Sequence, residues 1–191
     1  MMRISLVVCS TSLVILAFAG CGGRERPEPG RHATGAAAAN SAADPGQASA
    51  PARTTIDSKD LPFRITSVRQ EYSELRVNQS TAGPVMKIGS QSFAKGIGTH
   101  APSRIEIQLP AGTKKLSGGC GLDAFAGMNG NVTCRIEAGG KVLWDSGVVS
   151  GSRDVARFSV GVEGTQQLTL VVDPNGSMDN DHTDWVDLGI E

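Results

Sequence analysis

Apolar residues in the C-terminal part of the chain recur with a period of two, the spacing that puts alternate side chains on one face of a β-strand. In Ser103-Arg104-Ile105-Glu106-Ile107-Gln108-Leu109, the residues Ile105, Ile107 and Leu109 share one face and Arg104, Glu106 and Gln108 the other. The run stops at Pro110-Ala111-Gly112. Val132, Cys134 and Ile136 alternate with Thr133, Arg135 and Glu137, and Gly139-Gly140 then supplies a two-residue hairpin turn into residues 141–149. Phe158, Val160 and Val162 repeat the alternation, as do Leu168, Leu170 and Val172. Further strand-like runs occupy residues 63–68, 85–93, 116–123 and 185–190. The tally of about eight or nine short strands with turn signals between them predicts an all-β fold, an antiparallel β-sandwich. Residues 71–78 read equally well as a helical turn or a loop.

The N-terminal part carries no such pattern. Met1-Met2-Arg3 precedes an apolar run over residues 4–18, followed by Ala19-Gly20-Cys21. One positive charge, a short apolar stretch and small residues before a cysteine resemble a bacterial lipoprotein signal peptide over residues 1–20, with lipid carried by Cys21. Phe18 stands where that motif usually has leucine. The apolar run is shorter than the roughly 20 residues a membrane span needs. Residues 22–55 contain no Val, Ile, Leu, Met, Phe, Tyr or Trp. A segment of that composition cannot bury enough apolar surface to offset its backbone entropy, so a disordered linker is expected over residues 21–56. One globular domain, residues 57–191, follows. The expected location is therefore extracytoplasmic, with the membrane reached through the lipid anchor alone.

Charge and cysteine usage narrow the function. A net charge of −1 and a single adjacent basic pair, Lys114-Lys115, argue against nucleic acid as a partner. Of four cysteines, Cys9 leaves with the signal and Cys21 takes lipid, so Cys120 and Cys134 remain as a pair in an oxidising compartment. Each shares parity with inward-facing neighbours, and a disulfide between them is expected.

The stretch Lys95-Gly96-Ile97-Gly98-Thr99-His100-Ala101-Pro102 is read as a direction change at one rim of the sandwich, since closely spaced glycines and a proline permit tight turns. At such a rim His100 either ties the turn together or faces a ligand.

That stretch has company. Gly121-Leu122-Asp123, then Gly140-Lys141-Val142-Leu143-Trp144-Asp145-Ser146-Gly147-Val148, then Asp181-His182-Thr183-Asp184-Trp185 follow it in order. Together these motifs resemble the NPCBM family, the "novel putative carbohydrate-binding module" that overlaps carbohydrate-binding module family 51 and accompanies secreted glycosidases. The resemblance covers about residues 58–191. It implies a galactose-binding-like jelly roll, binding of galactose-containing glycans, and a structural calcium ion. Gly139 replaces the Asp often found before Gly-Lys, and the Cys120 and Cys134 pair is not part of the usual pattern.

A pyranose needs an aromatic ring beneath its C–H face and fixed donors and acceptors beside it. By resemblance, His100, His182 and Asp184 are the expected polar partners, with Trp185 or Trp144 as the stacking ring; both tryptophans read equally as core residues. The loop from Asp173 to His182 is rich in oxygen ligands, and Asp173, Asn175, Asp179 and Asp181 with Asp123 are the expected Ca²⁺ set. A solvated acidic turn is the other reading, and the loop is not an EF-hand, because Gly176 falls at its fourth place and the closing glutamate is missing. Three functions fit these features. They are a membrane-tethered, non-catalytic carbohydrate-binding module, a cell-envelope structural or protein-interaction domain, and a glycoside hydrolase. The first is the expectation and the second its alternative; the third needs two carboxylates across a cleft.

Overall fold

A computed structural model describes residues 56–191. The expected signal peptide, the expected lipidation at Cys21 and the expected linker as far as residue 55 lie outside the described residues. Ile56 already packs against the core.

Twelve strands follow one another. They are β1 (Arg64–Gln70), β2 (Arg76–Val77), β3 (Met86–Ile88), β4 (Gln91–Phe93), β5 (Gly96–His100), β6 (Ser103–Gln108), β7 (Lys115–Leu122), β8 (Asn131–Ala138), β9 (Lys141–Ser150), β10 (Ala156–Gly161), β11 (Gln167–Pro174) and β12 (His182–Ile190). A short 3-10 turn, Ala124–Ala126, is the helical element among the described residues. One five-stranded sheet has the order β1-β6-β11-β8-β9 and the other β10-β7-β12-β5-β2, with β3 and β4 forming a separate hairpin. Every pairing is antiparallel. The expected antiparallel sandwich is the observed one.

The alternation read from the sequence produces the core. Ile105 and Ile107 of β6, Leu168 and Leu170 of β11, and Val132 and Ile136 of β8 are buried together with Leu116, Leu122, Ile97 and Trp185 of the second sheet. Each such side chain contributes roughly 1.5–3 kcal/mol by leaving water. Cys120 on β7 and Cys134 on β8 are both fully buried and form a disulfide, which ties one sheet to the other.

The β3–β4 hairpin forms a second, smaller cluster in which Met86, Ile88 and Phe93 pack on Val186 of β12. All five residues of β5 are buried as well. This corrects the reading of the glycine-rich stretch as a turn. Gly96–His100 is a strand between β12 and β2, and the chain turns one residue later at the cis Ala101-Pro102 bond. The glycines serve close approach: a Cβ at Gly98 would collide with the Gln79 carbonyl and the Ser80 Cα. Residues 71–78 form a loop ending in β2, with Ser73 at φ 63° and Asn78 at φ 58°, conformations that stop a helix.

Candidate functional site

His100 closes β5 and His182 opens β12, directly opposite each other in the ladder. Their rings meet edge to face, centroids 4.5 Å apart and planes at 85°. Tyr72, from the loop after β1, lies 5.6 Å from the His100 ring and is about half exposed. Tyr72, His100 and residues 176–180 line a groove of about 390 Å³.

Hydrogen bonding fixes both imidazoles. His100 Nδ1 lies 2.6 Å from the Ala101 carbonyl, which only accepts, so Nδ1 carries the proton and Nε2 is the ring's remaining polar atom. Thr81 Oγ1 spends its one hydrogen on the Thr99 carbonyl at 3.0 Å and therefore accepts from His182 Nδ1 at 2.8 Å. His182 also keeps Nε2 in reserve. Burial, and then the nearby charge of His100, lower the His182 pKa below its ordinary 6.5, which favours the neutral ring. Two imidazoles so held offer acceptors to hydroxyl groups.

The loop across the groove is held from behind. Asp181 is fully buried, with Oδ1 accepting from Asn131 N at 2.7 Å and Oδ2 unpartnered. Burial raises its pKa, opposed by the Asn131 N–H. Asn180 adopts φ 66°, turning the chain into β12, while Ser177 Oγ donates to Asp179 Oδ2 at 2.7 Å.

Of the expected sugar-binding residues, His100 and His182 come together and the other three do not join them. Trp185 is fully buried between the sheets against Phe158 and Trp144, so it has no face for a ligand. A register shift between Val186 and Gly189, with Asp187 at φ 52°, puts Leu188 and Ile190 on the side Trp185 occupies, so all three face the core. Trp144 is partly buried over Phe158, 5.1 Å away, as a lid on the same core. Asp184 is fully buried beside Asp123 and Ser80, under the segment leading into β3. The residue that sequence reasoning missed is Tyr72. It is the chain's one tyrosine, isolated in a polar stretch without periodicity, and that isolation was the available signal.

The five expected calcium ligands do not converge. Asp173 pairs with Arg135, Asn175 bonds Thr133 and Asn131, Asp179 bonds Ser177, and Asp181 supports Asn131. Asp123 accepts from Lys87 N at 3.0 Å and Phe125 N at 2.7 Å. Among the described residues no group of three or more His, Cys, Asp or Glu side chains is placed to hold a metal. The buried pair differs from the loop. Neither Asp184 oxygen has a well-formed hydrogen bond, and burial, then the adjoining Asp123 carboxyl, pushes its pKa up to about 9. Two carboxyl groups so enclosed need one proton or one cation between them.

Comparison with known proteins agrees with this architecture. Residues 55–191 match the NPCBM/NEW2 domain. The chain is 38% identical over 138 residues to alpha-1,3-galactosidase B of Akkermansia muciniphila, covering 70% of this chain and 17% of that enzyme. A putative endo-alpha-N-acetylgalactosaminidase of Renibacterium salmoninarum is 27% identical over 104 residues, covering 54% of this chain and 7% of the relative. The chain thus spans a small part of the curated relatives it matches. Among solved structures, the CBM51 from Clostridium perfringens GH95 in complex with methyl-galactose superposes with a TM-score of 0.63 at 24% identity, over 67% of this chain and 94% of that one. The CBM51-2 and INT domains of C. perfringens ZmpB, in complex with GlcNAc, match with a TM-score of 0.63 at 24% identity, over 69% of this chain and 30% of that one. The sandwich is therefore the galactose-binding-like jelly roll, and with the family match running through all the described strands, the chain belongs to the NPCBM/NEW2 domain family.

Proposed function

We propose that this protein is a non-catalytic carbohydrate-binding module that holds galactose-containing glycans in the groove beside Tyr72, His100 and His182. The observation that carries the reading is the meeting of a half-exposed aromatic ring with two imidazoles whose Nδ1 atoms are already committed. Tyr72 supplies the stacking face and the two Nε2 atoms accept from sugar hydroxyls, with Asp179 and Asn180 across the groove. The methyl-galactose complex of the C. perfringens CBM51 and the galactosidase that shares this domain support galactose as the sugar. One ring and a few hydrogen bonds of about 1 kcal/mol each give a single-site affinity of roughly millimolar. Hydrolysis would need two carboxylates flanking a glycosidic bond. The closely paired Asp123 and Asp184 are instead buried away from the groove.

Two further parts belong to the same proposal. Lipid on Cys21 tethers the module, outside the cytoplasm, to the bacterial cell envelope, a weak binder gaining avidity from its neighbours there. A structural Ca²⁺ replaces the shared proton at Asp123 and Asp184, whose hard oxygens suit it.

Multivalent display of the full chain on a glycan array tests the reading. Binding of galactose-terminated glycans that is lost in Tyr72→Ala and His100→Ala supports it, and no binding by the folded, multivalent chain contradicts it. The alternative, a protein-interaction domain, draws on edge strand β9, where Val142, Leu143 and Val148 are exposed.

A further inference from the structure

Phe125 stands on the far side of the histidine pair from Tyr72, and nothing above gives it a role. It is about half exposed although it is a large apolar ring. Two bonds place it. Asp123 N donates to the His182 carbonyl at 2.9 Å, and Asp123 Oδ1 accepts from Phe125 N at 2.7 Å, so the turn carrying Phe125 is anchored to the strand carrying His182.

The segment before β3 closes the gap between them. Thr81 bonds His182, and two residues later Gly83 lies against the Phe125 ring, where a Cβ would come within 2.7 Å of its Cγ. A glycine there lets backbone support one side of the ring.

The ladder sets the length of this arrangement. His100 on β5 faces His182 on β12, and Thr183 faces Leu122 on β7, so His100, His182 and Asp123 form one row across three strands. That row spans roughly 10 Å at the usual strand spacing. Tyr72 extends it at the His100 end and Phe125 at the Asp123 end. The line from Tyr72 to Phe125, which passes over the buried Asp123, is longer than one pyranose ring, and both of its ends are aromatic.

We propose that Phe125 is a second stacking position, so that the module reads at least a disaccharide, with one sugar at Tyr72 and His100 and the next toward Phe125. This rests on the glycan reading above and deepens it. Phe125 determines preference for chain length; the Tyr72 end binds the terminal residue.

The test compares methyl β-galactoside with galactosyl disaccharides of differing linkage, titrated calorimetrically into the full chain and into Phe125→Ala and Phe125→Trp. The expected result is that at least one disaccharide binds the unaltered chain about fivefold or more tighter than the methyl glycoside, that Phe125→Ala removes this preference without weakening the methyl glycoside, and that Phe125→Trp keeps it. Equal affinities in the unaltered chain, or a preference that survives Phe125→Ala, overturn the second position and leave the first intact. Loss of both sugars in Phe125→Ala with folding retained also overturns it, since Phe125 would then serve the first position. Failure of the unaltered, folded chain to bind any of these sugars overturns the glycan reading itself.

Discussion

His100 and His182 sit opposite each other on neighbouring antiparallel strands, rings perpendicular and 4.5 Å apart, each with Nδ1 held by a different oxygen. The bond to Thr81 makes one imidazole depend on the segment that packs over Gly98. Site and fold are coupled there.

Replacing Gly98 with alanine should therefore disturb the site without touching it. The added Cβ meets backbone, which cannot swing aside as a flexible side chain would. A destabilisation of about 1–3 kcal/mol in urea unfolding is expected, with weakened sugar binding as Thr81 moves from His182.

Tyr72→Ala and Trp185→Ala should separate binding from folding. Tyr72 is exposed, so its loss should leave the unfolding free energy within about 0.5 kcal/mol of the original while reducing affinity. Trp185 is fully enclosed, so its truncation should cost about 3–5 kcal/mol and abolish binding only through unfolding. Circular dichroism beside calorimetric titration distinguishes the two.

Removing the Cys120–Cys134 bridge should lower stability by about 3 kcal/mol, the loop-entropy contribution expected for a crosslink closing a loop of about 15 residues. Chemical denaturation of the oxidised chain and of a double serine variant measures it. Sugar affinity of the variant, once folded, should be unchanged, because the bridge lies in the core.

A cation at Asp123 and Asp184 should raise the melting temperature when Ca²⁺ is added and lower it with chelator, the stability gained being about 2.7 kcal/mol at a hundredfold excess of Ca²⁺ over Kd. Asp184→Asn should abolish the response. A variant that melts higher than the original and an unaltered chain indifferent to Ca²⁺ would show that a proton occupies the pair instead.

The sandwich was legible because its strands alternate strictly, as at Ile105, Ile107 and Leu109, and because both cysteines share parity with core residues. Where the chain departs from regular pairing, legibility failed. Trp185 could be taken for a stacking ring because the bulge at Asp187, which sets its side with Leu188 and Ile190, leaves no mark in the sequence. The glycine stretch looked like a turn because glycine's tolerance of close backbone approach leaves the same trace as its tolerance of positive φ. Asp123 and Asp184 lie far apart in sequence and meet only through the ladder joining β7 to β12. Tyr72 carried no periodic signal at all. The histidine pair was reached by resemblance to a family, and its register by the structure.

The most direct measurement is titration of methyl β-galactoside into the full chain while the ¹H–¹⁵N signals of the His100 and His182 side chains are followed. The account predicts saturable shifts of the Nε2 resonances at roughly millimolar sugar, absent in Tyr72→Ala, with the core resonances unmoved. Sugar-dependent shifts confined to another face, or none at saturating sugar in a folded chain, would contradict it.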